Sequence, residues 1–185
     1  MRRTRKLFAA ERYSEAAIWC EMTLEIDRNC AAAKDMRKKI KAAAIEWAGK
    51  IARDENDSSS EEEMDAVFWL IESKRPHQAG ILIRRAIRRH WRDSPDKPLP
   101  EWMRLARAEQ AYLEDDFQRA YNELEELRDS GQFGAEATYY CALCKLATGD
   151  RHRALALFGG FISKYPWFTE ARFEEALEEA EASSQ

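Results

Sequence analysis

Apolar residues recur at steps of three and four along nearly the whole chain, and no stretch keeps a two-residue alternation for long. Steps of three and four keep side chains on one helix face, whereas alternation marks a strand. The pattern predicts helices over Arg3–Ala10, Ser14–Ile26, Cys30–Arg53, Glu61–Ser73, His77–Trp91, Pro100–Leu113, Phe117–Ser130, Ala135–Ala147, Arg151–Lys164 and Thr169–Ala182. The breaks have their own chemistry. "DENDSSSEEE" is polar, and Ser60 or a neighbour is available to cap the helix that begins at the glutamates. "DSPDKPLPEW" holds three prolines, which forbid helix continuation. "SGQFG" and "TGD" are short turns whose glycines can take the left-handed conformation at a helix end.

The helices also repeat. "GDRHRALALFGGFISKYP" lies thirty-four residues after "DDFQRAYNELEELRDSG", and the overlay sets Ala120 on Ala154, Leu124 on Phe158 and Leu127 on Phe161. A period near this length points to helix–turn–helix units, each unable to bury its own apolar face until the next one stacks on it. The unit from Ala135 to Pro166 is the clearest. Cys141, Ala142, Leu143 and Leu146 line its first helix, "TGD" turns the chain, and Ala154, Phe158, Phe161 and Ile162 line the second. The preceding unit runs through Ala108, Tyr112, "EDDF", Ala120, Leu124 and Leu127. Tyr13, Ala16, Cys20 and Leu24 repeat the second helix near the start, and Ala79, Ile83 and Ala86 repeat it more loosely in the middle.

This spacing of small residue, Gly-Asp turn, alanine and final proline resembles the tetratricopeptide repeat. The resemblance implies an all-α fold, a right-handed solenoid of helical hairpins. On that pattern the chain reads as a single helical-repeat domain over 1–185. It would comprise a half-repeat and long helix over 1–53, an irregular repeat over 61–93, two clear repeats over 100–166 and a capping helix over 169–182. Two features depart from the pattern: Cys30–Arg53 is too long for an ordinary repeat helix, and the proline-rich insert sets Ala79 and Ala120 forty-one residues apart.

In this family the first helices of the units line a concave groove that holds peptide segments. Carried over to this chain, the groove would show Met64, Phe68 and Ile71, then Trp102, Leu105, Glu109 and Tyr112, then Tyr139 and Leu143. The clamp for chaperone C-termini known in the family needs Asn and basic residues on these helices, and the matching positions here do not supply them.

Composition narrows the field further. With 45% hydrophobic and 35% charged residues the chain is built to fold in water. No apolar run approaches the ~20 residues that span a bilayer, and the opening "MRRTRKLFAAERYSEAA" meets Glu11 and Arg12 too early for a secretory signal. A cytoplasmic protein is expected. A net charge of −4 argues against general affinity for nucleic acid, which makes it the less favoured partner.

Charge is unevenly placed, however. Arg84, Arg85, Arg88, Arg89 and Arg92 form a stripe on one helix, with Ile83, Ala86, Ile87, His90 and Trp91 expected opposite. Guanidinium forks suit phosphates and carboxylates, so this stripe is the second candidate surface, for an anionic partner. A solvated helix face neutralised by acids such as Glu61–Glu63 is the plainer reading.

Candidate chemistry is sparse. "CALC" has the spacing of a zinc or redox pair, but it lies inside a predicted helix and Cys20 and Cys30 make no second knuckle, so packing is the expected role. His77, His90 and His152 show no ligand spacing. Neither a phosphate loop nor a nucleophile motif occurs, so the expectation is no catalysis, no metal and no cofactor. The expected partner is a protein or peptide segment. The stripe Ile40, Ala44, Trp47 and Ile51 on the long helix would pack inside the chain or against a second copy in a homodimer.

Overall fold

Successive helices are joined by a turn that recurs four times with the same geometry. In the computed structural model, which describes residues 1–53 and 58–164, the chain enters the left-handed conformation at Glu11 (φ 58°), Lys74 (φ 55°), Asp115 (φ 61°) and Gly149 (φ 79°). The amide of each of these residues donates to the carbonyl three residues back: Glu11 to Phe8, Lys74 to Ile71, Asp115 to Tyr112 and Gly149 to Leu146. The following amide reaches five residues back, Arg12 to Leu7, Arg75 to Leu70, Asp116 to Ala111 and Asp150 to Lys145, at 2.8–3.0 Å. These bonds satisfy carbonyls that a helix end leaves without partners.

The described residues form nine α-helices and no strand. They are α1 (Arg2–Ala9), α2 (Tyr13–Ile26), α3 (Ala31–Arg53), α4 (Ser60–Glu72), α5 (Pro76–Asp93), α6 (Glu101–Leu113), α7 (Phe117–Glu125), α8 (Gly134–Ala147) and α9 (Arg151–Lys164). The four shared turns lie between α1 and α2, α4 and α5, α6 and α7, and α8 and α9. The expected helix Thr169–Ala182 and the closing Pro166 lie outside the described residues.

Burial keeps register with the turns. Five residues after each left-handed residue stands a fully buried alanine: Ala16, Ala79, Ala120 and Ala154. Nine residues after stand Cys20, Ile83, Leu124 and Phe158, and seven before stand Thr4, Val67, Ala108 and Ala142, all buried. Small residues at a crossing let helix backbones approach, and larger ones fill the space beyond.

The chain divides into two units, Met1–Leu82 and Ile83–Gln185. In the first, α1 packs on α2, α2 on α3, and α3 on α4. Ile40, Ala44 and Ala48 of α3 are buried there, so the apolar stripe of the long helix is used within the chain. Trp47 is half-buried, edge-on to Tyr13 at 5.9 Å. Cys20 donates its thiol proton to the Ala33 carbonyl (3.1 Å), and Lys41 reaches Glu72 at 3.0 Å. Ser59, the neighbour of Ser60, caps α4. Its hydroxyl accepts from the Glu62 amide while the Glu62 carboxylate accepts from the Ser59 amide, a reciprocal capping box.

In the second unit α6, α7, α8 and α9 pack in chain order, and α6 also meets α8. Ala135, Tyr139, Ala142, Ala154, Phe158 and Phe161 form a cluster between α8 and α9. Burying each phenylalanine contributes about 1.5–3 kcal/mol. Helix α7 ends at Glu125, five residues before the expected Ser130. Beyond it Leu127 and Ser130 bond three residues back, to Leu124 and Leu127, so the chain tightens while keeping Leu127 buried. The "SGQFG" loop is organised by Ser130, whose hydroxyl accepts from the Gln132 and Phe133 amides and donates to Glu101 at 2.6 Å. Among described glycines only Gly149 is left-handed, so the glycines of that loop do not act as expected.

Candidate functional site

The residues expected to line a groove divide into buried and accessible members. Ile71 on α4, Leu105 and Glu109 on α6, and Tyr139 on α8 are buried, with no more than 6% of their surface exposed. Their side chains belong to the packing and not to an open surface. Met64 and Phe68 of α4 are half-buried in the first unit. Trp102, Tyr112 and Leu143 are half-buried in the second, where Tyr112 of α6 meets Tyr140 of α8 and Leu143 packs against the α8/α9 cluster.

Around Tyr112 the aromatic rings form a continuous run. Tyr112 meets Phe117 edge-on at 5.4 Å and Tyr140 at 5.5 Å. Tyr140 meets Tyr139 at 5.5 Å, and Tyr139 reaches Phe158 and Phe161 at 6.4 and 6.3 Å. Edge-to-face pairs fix ring orientation at little entropic cost. Tyr140 is the member that the sequence reading missed. It precedes Leu143 by three residues and so shares its helix face, a signal that was present.

Helices α6 and α7 are laced by charge. Arg104 pairs with Glu126, and Arg107 with Glu123. With Asp116, Gln118, Arg119 and Asn122 these residues line an open concavity of about 600 Å³. Three arginines face three carboxylates on this wall, so it favours neither anions nor cations.

The arginine stripe of α5 is only partly free. Arg84, Arg88 and Arg92 are exposed, and Arg92 donates to its neighbour Asp93 at 3.0 Å. Arg85 and Arg89 are half-buried and engaged within the chain. Trp91 is 44% exposed, which corrects its expected place on the sheltered side. Lying seven residues after Arg84 and three after Arg88, it returns to their face of the helix. His90 stands against it at 5.4 Å and contacts the Lys97 carbonyl at 3.1 Å.

Cys141 and Cys144 are buried, and burial pushes both thiols up to about 12. A thiol so placed is neither a nucleophile nor a ready metal ligand. No three His, Cys, Asp or Glu side chains among the described residues could together hold a metal ion, and no helix there is long and apolar enough to cross a membrane.

Comparison of the chain with protein-family models, with curated proteins and with solved structures found no match.

Proposed function

We propose that the protein is a non-catalytic interaction module, an adaptor or chaperone-like carrier built from hairpins of the tetratricopeptide type in a solenoid. A partner peptide would lie on the α6/α8 surface, contacting Trp102, Tyr112, Tyr140 and Leu143. One observation carries the reading: four turns with identical hydrogen bonding, each followed at the same distance by a fully buried alanine. Recurrent hairpins of this kind stack their second helices on neighbours and leave first-helix faces for ligands. Half-buried aromatics suit that role, because a few anchors supply most of the affinity in protein recognition.

The test is affinity capture from lysate by wild-type protein and by surface variants. A partner retained by wild type but lost by Tyr140→Ala with Leu143→Asp, both variants folding normally, supports the reading. A partner held equally by wild type and this pair rejects the surface.

A second reading is binding of an anionic polymer on α5, favoured by the exposure of Trp91 beside Arg84 and Arg88. Stacking on an aromatic ring flanked by guanidiniums is how single-stranded nucleic acid is held without base readout. Capture that disappears on nuclease treatment and falls steeply with salt would favour it. Arg84→Glu with Arg88→Glu should then abolish binding and leave peptide capture intact.

A further inference from the structure

Three of the four exposed large hydrophobic side chains among the described residues lie on one helix. Ile18, Met22 and Ile26 of α2 are 58%, 45% and 89% exposed, and their four-residue spacing sets them in a single stripe. Isolated exposed apolar residues are ordinary, whereas three in register form a surface.

The stripe has charged borders of opposite sign. On one side stands α1, whose Arg2, Arg3, Arg5 and Lys6 are all exposed. The Arg3 guanidinium sits 4.3 Å over the ring of Trp19, the residue beside Ile18, so the basic helix α1 adjoins the stripe through Arg3. On the other side are Glu21, which pairs with Arg37 at 2.7 Å, and Glu25, which is exposed. Arg12 pairs with Glu15, which leaves the four α1 cations without a carboxylate partner among the described residues.

We propose that α1 and α2 form a docking face for an amphipathic helix of another protein, with its apolar ridge along Ile18, Met22 and Ile26. An acidic flank on that helix meets the cations of α1. The charge arrangement selects this occupant over an anionic bilayer. Pressing the stripe into lipid would carry Glu25, which lies next to it, into the apolar layer, whereas a helix leaves that border in water. The face lies on α1 and α2 and shares no residue with the α6/α8 surface, so the two readings stand or fall separately.

The test titrates the full chain into a fluorescein-labelled synthetic helix carrying a leucine ridge and one glutamate-lined flank, followed by anisotropy. A second peptide with lysines replacing those glutamates serves as the control. Binding of the glutamate peptide is expected to exceed that of the lysine peptide by about tenfold or more, and to weaken with salt. Met22→Asp and Ile26→Asp should each weaken it by about tenfold, and Arg2→Glu with Arg5→Glu by a similar factor, with unchanged helical melting. Equal affinity for both peptides, indifference to Met22→Asp, or no binding would overturn the proposal. So would preferential co-sedimentation with phosphatidylserine vesicles, which makes the face a membrane surface. A dimer that dissociates on Met22→Asp would overturn it in favour of a second copy.

Discussion

The indole Nε1 of Trp69 donates a hydrogen bond to the hydroxyl of Ser14, 3.2 Å away and 55 residues earlier in the chain. One turn before Trp69, the Asp65 carboxyl lies near the same Ser14 side chain, which draws its pKa down against the larger effect of burial. This hydroxyl thus ties α2 to α4 as an acceptor.

Replacing Ser14 by alanine should remove this bond and leave a sheltered indole N–H without a partner. A loss of about 1–3 kcal/mol is expected, read as a lower urea midpoint. Burial, the larger effect, raises the Asp65 pKa above its ordinary 3.8, although the Ser14 side chain opposes the shift. The folded state therefore holds this proton more tightly than the unfolded one, and stability falls as pH rises through the folded value. Asp65→Asn should accordingly melt higher than wild type at neutral pH, and the advantage should disappear below about 3.8. Thermal melts at the two pH values check it.

The four left-handed turns predict opposite responses to glycine. Glu11, Lys74 and Asp115 hold side-chain-bearing residues at a positive φ, a strain of about 1 kcal/mol each. Lys74→Gly and Asp115→Gly should stabilise, or at worst be neutral once the extra freedom of the unfolded chain is counted. At Gly149 an added Cβ would meet nothing within 4 Å, so Gly149→Ala should cost only the backbone strain, about 1 kcal/mol. Denaturant midpoints of the three variants decide the matter.

Buried thiols give a third expectation. With Cys141 and Cys144 raised from 9.0 to about 12 by burial, alkylation of the native protein at mildly alkaline pH should modify Cys30, the half-buried cysteine, and spare that pair until the chain unfolds. The unfolded chain loses these protons first, so stability should decline as pH rises from about 9 towards about 12. Mass spectrometry of the alkylated protein and melts across that range are the readouts.

Packing at the recurrent alanine is the fourth. Ala154 has no exposed surface and shares a cluster with Phe158. Ala154→Leu should destabilise by about 1–3 kcal/mol through overpacking. Phe158→Ala should cost about 3–5 kcal/mol through the cavity left behind.

Much of this architecture was legible in the order of residues. Helix spacing located all nine described helices, with most ends within two residues, because a step of three or four is a direct imprint of the helical period. Ala16, Ala79, Ala120 and Ala154 were recognisable as equivalent because a helix crossing rejects anything larger. The left-handed residues were not legible at three of the four turns. Glu11 and Lys74 have no intrinsic preference for that conformation, Asp115 has only a slight one, and all three are held in it by neighbouring hydrogen bonds. Candidate surfaces were harder still. Leu105 and Tyr139 look like any first-helix residue, and only the packing of their helices, for Tyr139 against Phe158 and Phe161 of α9, decides that they turn inward. The place of Trp91 beside Arg84 and Arg88 follows from helix phase alone and was misread.

The shared turn also bears on how the protein is made. Every hydrogen bond that closes it spans five residues or fewer, and each of the four turns completes a helix before the next begins. Within each unit, packing runs mainly between helices adjacent in the chain, a topology of short loop closures that favours rapid folding. A hairpin such as α1–α2 can therefore close its turn while later segments are still on the ribosome, and it completes its burial as α3 and α4 follow. Synthesis from the N-terminus can build this protein in the order in which it is read.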